Sequence, residues 1–331
     1  MPVRGKLVVM ATSNDSSTDA APNAPEIAQR PAHLDAAVSA FGTVGTAMVT
    51  PLTEDGAVDL DTAAALATHL VDLGNDMLVV SGTTGESPTT NDVEKQDLLT
   101  AVLDAVGDRA RIIAGVGTND TAHTVHLAQD AATAGAHGLL VVTPYYSKPP
   151  QAAIRAHMET VASATDLPVM LYDIPGRSGV PIAPETLVAL GEHPNILAVK
   201  DAKGDLASSM AVMRDSSLAY YSGEDALNLP LLAAGAVGVV SVVGHVLADE
   251  WARLVRATEA NDLATARAIA LDAIDVVDAI MNHMPGAISA KAALELRGVV
   301  PNRGVRAPLL PATDEQVAFL RERLTRSGYL K

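Results

Sequence analysis

The chain has 331 residues, 48% of them hydrophobic and 19% charged, with a formal net charge of −16 and a pI near 4.8. That length can bury a large core, as one barrel domain or two smaller domains, while the acidity and the lack of a basic patch argue against nucleic acid or another polyphosphate as partner. No apolar run approaches a membrane span, no cysteine is present for a disulfide or a thiolate metal site, and Leu7-Val8-Val9-Met10 is too short for a signal sequence; a cytoplasmic enzyme is expected.

Residues 11–32 are rich in Ala, Ser, Thr, Asp, Asn and Pro and lack apolar periodicity. They read as a disordered extension or loose arm, so residues 1–40 stand apart and order is expected to begin near Phe41. From there, short β-like runs at 46–50, 77–81, 112–115, 138–143, 169–172, 196–200, 219–222 and 237–242 alternate with Ala-rich helical stretches such as 60–73, 93–106, 122–134 and 151–164. Eight such units over residues 41–261 predict an α/β fold, a (β/α)8 TIM barrel. The alternative, an open doubly wound sheet, is disfavoured because no Gly-x-Gly-x-x-Gly follows the first strand. After Asp262 the strand signals stop. Residues 263–281, 286–296 and 313–324 read as helices and 302–311 as a Pro-rich connector, giving a C-terminal helical appendage over 262–331 that should pack on the barrel or on a neighbouring subunit.

Barrel chemistry sits at the C-terminal ends of the strands. The second strand runs into Ser81-Gly82-Thr83-Thr84-Gly85-Glu86-Ser87, where backbone amides and hydroxyls could grip a carboxylate or phosphate; an ordinary tight glycine turn is the plainer reading. The fourth ends in Thr143-Pro144-Tyr145-Tyr146, holding two of the six tyrosines side by side, which suits a subunit contact equally well. The fifth ends in Tyr172-Asp173-Ile174-Pro175-Gly176-Arg177, offering a phenol as proton carrier and a guanidinium fork for a carboxylate, or a surface ion pair. The sixth ends in Val199-Lys200. Strand-end lysines usually snorkel to solvent, but one that is desolvated there has a lowered pKa and becomes a nucleophile toward carbonyl carbon. On the eighth strand, Gly238 allows close backbone approach. A lysine, a tyrosine, a Gly-Thr loop and an arginine at one barrel mouth suit imine chemistry on a 2-keto acid.

Gly82-Thr83-Thr84-Gly85-Glu86-Ser87, Leu171-Tyr172-Asp173-Ile174-Pro175-Gly176-Arg177 and Val199-Lys200-Asp201-Ala202 resemble the motifs of the dihydrodipicolinate synthase / N-acetylneuraminate lyase family of class I aldolases, and the likeness spans roughly residues 41–331. The resemblance implies that Lys200 forms an imine with pyruvate, whose enamine attacks L-aspartate 4-semialdehyde to give, after cyclisation, 4-hydroxy-tetrahydrodipicolinate. It implies a proton relay of Thr83, Tyr172 and Tyr146, with Tyr146 reaching a neighbouring subunit's site. Thr84 and the backbone of Val240 would hold pyruvate, Arg177 the semialdehyde carboxylate, and Gly223 would border the site. A homotetramer built as a dimer of dimers is implied, with no metal and no cofactor beyond the covalent pyruvate. The sister activity, cleavage of a 2-keto-3-deoxy sugar acid or of N-acetylneuraminate, is the alternative, and Arg177 with the Tyr145-Tyr146 pair favours the synthase. A non-catalytic barrel is opposed by retention of every expected reactive residue. Lysine-inhibited members carry histidines after the Gly-Thr-Thr-Gly-Glu motif and a glutamate after the third strand. Here those positions hold Asp92, Lys95 and His123, with Asn119 and Tyr145 retained, so weak or absent feedback inhibition by lysine is expected.

Overall fold

The computed structural model describes residues 30–330. Eight parallel strands close a barrel in sequence order: β1 (Val44–Ala47), β2 (Met77–Val80), β3 (Arg111–Gly115), β4 (Gly138–Val142), β5 (Val169–Asp173), β6 (Ile196–Asp201), β7 (Ala219–Ser222) and β8 (Gly238–Ser241). The strands read as continuous apolar runs because both faces are covered, by the helical ring outside and by the packed interior within. Val80, Leu171, Val199, Tyr220 and Val239 pack outward against the helices, whereas Val79, Tyr172, Tyr221 and Val240 face the barrel axis. The helices carry the starts and stops their sequences prescribe. Asp59 caps Leu60–Asp72, Asn91 and Glu94 form a capping box on Asp92–Val106, and Asp120 caps Thr121–Ala134, which Gly135 ends at φ 90°.

Two expectations need correction. Order does not wait for Phe41: Ala32–Phe41 is a helix. Its Ala37 and Phe41 are fully buried in the axial cluster, the Phe41 ring meets Tyr221 edge-on at 6.3 Å, and the Tyr221 hydroxyl donates to the Gly42 carbonyl at 2.8 Å. The short helix is therefore held by the barrel floor rather than by its own propensity. The rest of the expected arm, up to residue 29, lies outside the described residues. The first strand also begins earlier than expected. Val44–Thr46 pair with Val239–Ser241 and Gly45–Ala47 with Met77–Val79, the Met48 N–H adds a last bond to the Val79 carbonyl at 3.0 Å, and buried Val49 and Thr50 turn to other partners. There the Val49 N–H donates to His245 Nε2 and the Thr50 hydroxyl to the Gly85 carbonyl.

Beyond Asn261 the regular structure is helical: Leu263–Met281, Gly286–Leu296 and Asp314–Arg326. Ile288, Leu294, Leu320 and Leu324 join the same apolar cluster as the outer strand faces, so this appendage packs on the barrel. Among the described residues no helix is long and apolar enough to cross a membrane.

Candidate active site

Lys200 occupies the penultimate position of β6, level with Tyr172 on β5 and Tyr221 on β7. It is 3% exposed, and its Nζ lies 4.3 Å from the centroid of the Tyr172 ring. Burial pulls the ammonium down from the ordinary 10.5 to about 8; Asp225 opposes this, Arg177 reinforces it and Glu224 opposes it more weakly. Tyr172 moves the other way. Burial pushes its phenol up to about 12, with Arg177 pulling it down, Glu224 raising it and the Thr83 hydroxyl lowering it. The phenol is therefore neutral near pH 7 and able to donate a proton.

The neighbouring turns fix these groups. Thr143, at the end of β4, donates both its N–H and its hydroxyl to the Tyr172 carbonyl at 3.0 Å. Buried Asp173 accepts from the Ile182 N–H at 3.1 Å and meets Lys203 Nζ at 3.4 Å, while the Ser178 hydroxyl bridges the carbonyls of Ile174 and Val180. Arg177 thus sits on an anchored helical turn, Pro175–Ser178. Burial raises the Asp173 carboxyl to about 6 against the pull of Lys203.

A cavity of about 390 Å³ opens at this mouth, lined by Thr83, Tyr145, Tyr146, Tyr172, Arg177 and Leu140 among others, a size suited to small ligands. Four of the eight residues to which the resemblance gives a catalytic or binding role therefore line one cavity: Thr83, Tyr146, Tyr172 and Arg177. Lys200 itself is not part of that lining but contacts Tyr172, which is. Tyr146 is 89% exposed and held at φ 72°, a left-handed conformation that side chains rarely adopt. Gly223 lies against Lys200: a Cβ there would come within 2.8 Å of Lys200 Cγ and 3.0 Å of Cε. Thr84 and Val240 are buried and are not part of the cavity wall.

Several residues around the site are not among those singled out at the strand ends. Gly115 and Gly117 line the cavity, and a Cβ on Gly117 would meet the Val142 nitrogen at 2.4 Å. The Gly115-Val116-Gly117 spacing after the third strand is the signal that could have found them. Buried Asp225 is the charged group with the largest effect on Lys200, raising its pKa against the pull of burial. It also accepts from the N–H groups of Val242 and Val243, at 2.9 and 3.1 Å, and from the Ser241 hydroxyl, fixing the end of β8 beside Val240. Among the described residues, no three His, Asp or Glu side chains are grouped to hold a metal ion.

Residues 40–327 match the family described as the Dihydrodipicolinate synthetase family. A 4-hydroxy-tetrahydrodipicolinate synthase of Kineococcus radiotolerans is 64% identical over 288 residues, covering 87% of this chain and 94% of the relative. Among solved structures, a dihydrodipicolinate synthase from Cyanidioschyzon merolae with lysine bound superimposes with a TM-score of 0.84 at 40% identity, covering 88% of this chain and 99% of the other. The chloride-inhibited dihydrodipicolinate synthase of Acinetobacter baumannii complexed with pyruvate gives 0.84 at 32% identity, covering 87% and 99%.

Proposed function

The chain belongs to the dihydrodipicolinate synthetase family and is a class I aldolase-type lyase with 4-hydroxy-tetrahydrodipicolinate synthase activity, and from that premise we propose that Lys200 is its imine-forming nucleophile. The observation that carries this assignment is the buried Lys200 amine, held beside Tyr172 with a pKa near 8. The neutral amine attacks the carbonyl carbon of pyruvate, and loss of water leaves a protonated imine. That imine withdraws electrons from the methyl carbon, which gives up a proton to form the enamine. The enamine carbon then attacks the aldehyde of L-aspartate 4-semialdehyde. The semialdehyde's amine displaces Lys200, closes the ring and releases the product with the enzyme amine restored. The protonated imine is itself the electron sink, so neither a metal nor a separate cofactor enters the scheme.

Proton movements fall to Thr83, Tyr172 and Tyr146. A buried phenol with a raised pKa is a weak acid, and a hydroxyl chain passes the proton on without any member ionising fully. Thr84 and the backbone of Val240 hold the pyruvate carboxylate, Gly223 borders the substrate, and Arg177, exposed at the cavity wall, takes the semialdehyde carboxylate as a fork. The exposure of Tyr146 supports a site completed by a second copy of the chain, within a tetramer made of two dimers. We place the enzyme in the cytoplasm.

Borohydride reduction in the presence of pyruvate tests the scheme. The expected result is a mass increment on Lys200 that is absent in Lys200→Met; no increment on the unaltered chain would sink it. Turnover of a keto-sugar acid, with no product from pyruvate and semialdehyde, would retain the imine but reassign the second substrate.

A further inference from the structure

The loop that carries Thr83 and Thr84 is fastened from outside the barrel. Ser81 and Glu86, which bracket Gly82–Gly85, both adopt left-handed backbone conformations, φ 55° and 57°. Non-glycine residues persist there only where their surroundings hold them. What holds Glu86 is the C-terminal segment. The Glu86 side chain is 4% exposed; its Oε1 accepts from Lys291 Nζ at 2.5 Å and its Oε2 from the Arg306 N–H at 2.8 Å. Lys291, 2% exposed on the helix Gly286–Leu296, also donates to the Gly304 carbonyl at 2.6 Å.

The fastening continues outward. The Arg306 guanidinium takes both oxygens of Glu94, at 2.7 and 2.5 Å, and donates to the carbonyls of Gly56 and Thr89. Asn302 Nδ2 donates to the Leu52 carbonyl at 2.9 Å, and the Thr50 hydroxyl reaches the Gly85 carbonyl at 2.7 Å. The loops after β1 and β2 are thus tied together and to residues 291–306. None of Glu86, Lys291 and Arg306 lines the cavity, and the Glu86 and Lys291 side chains are spent on each other and on residues 304–306. Apolar packing would join this helix to the barrel without a buried ion pair, and exchanging such a pair for neutral groups is often harmless to folding. Its charge is therefore better explained by the loop it aims.

We propose that Lys291 and Glu86 are positioning residues: their ion pair fixes Thr83 and Thr84, so that the C-terminal helix sets the pyruvate end of the site. This rests on the imine reading above. Arg177 lies on the separate turn after β5 and takes no bond from either residue, so the semialdehyde end should be insulated from the pair.

The test uses the full chain with Lys291→Met, Glu86→Gln and both together. The single Lys291→Met change leaves a buried carboxylate without its cation and should lower the thermal midpoint. The double variant should recover that midpoint to within a few degrees, yet retain a KM for pyruvate raised about tenfold or more, with the KM for L-aspartate 4-semialdehyde unchanged. A double variant with wild-type stability and wild-type KM for pyruvate would overturn the positioning role alone. So would activity that falls only in proportion to folded protein, with both KM values intact. Failure of the unaltered chain to trap pyruvate on Lys200 would overturn the imine reading and this proposal together.

Discussion

We expect pyruvate capture by Lys200 to titrate near pH 8. With its amine at about 8 rather than 10.5, roughly one molecule in ten carries the neutral nucleophile at pH 7, against about one in three thousand for an ordinary lysine, a gain of ~300-fold in reactive amine. Burial supplies most of this, since a desolvated ammonium is disfavoured and the neutral form is not. Arg177 adds to it, while Asp225 and Glu224 oppose it. The sign follows directly: capture rises as pH climbs through 8 and levels off above. Mixing enzyme with pyruvate at pH 6 to 10, then quenching into borohydride at one common pH, gives the initial capture rate by intact mass. In Arg177→Ala, loss of the nearby cation should move the midpoint upward. A midpoint in the ordinary lysine range would refute the desolvation account, and one that stays put or falls in Arg177→Ala would refute the electrostatic coupling.

Gly223→Ala should slow capture by about tenfold or more, because its Cβ would lie 2.8 Å from Lys200 Cγ; a thermal midpoint within a few degrees of wild type would locate the damage at the amine, and an unaltered capture rate would show that the contact does not matter. His245 is fully buried and accepts the Val49 N–H, and burial holds its imidazole down at about 4 against the ordinary 6.5, opposed by the Val242 carbonyl and assisted by His69. The unfolded state then binds the extra proton, so this contribution is complete above pH 6.5 and is lost as pH falls toward 4, by roughly 3 kcal/mol. Urea titrations across that window should show a flatter pH dependence in His245→Gln, and equal slopes would contradict the assignment. Activity should be unchanged at millimolar lysine: Asp92 is engaged by His123 at 3.0 Å, and the half-buried Lys95, which donates to the Thr90 carbonyl, would set a cation against the ammonium of a lysine bound as the family resemblance implies. Clear inhibition in that range would count against this.

The barrel was legible because strands covered on both faces appear as unbroken apolar runs, and Met77–Val80 is such a run. Lys200 was legible for the same reason, as a charge closing a run that has no solvent-facing side. The helix Ala32–Phe41 was not, because only Ala37 and Phe41 of it are fully buried and their partners include Tyr221, far along the chain on β7. Lys291 was equally hidden. It stands mid-way along an Ala-rich helix, and its counter-ion Glu86 is 205 residues away. Local pattern reveals which elements form and where they end. It does not reveal which distant side chain completes a buried charge, and the settings of both Lys200, through Asp225, and the Thr83 loop depend on that.

The Phe41 helix closes the barrel floor, with Ala37 and Phe41 fully buried in the axial cluster, so the cavity stands above a packed interior at the opposite end. Whatever reaches Lys200 descends through the mouth at which Thr83, Tyr145 and Arg177 stand, and the water expelled on imine formation and the finished ring leave the same way. The imine scheme sets the order of the two substrates, because the semialdehyde can be attacked only once pyruvate on Lys200 has become the enamine.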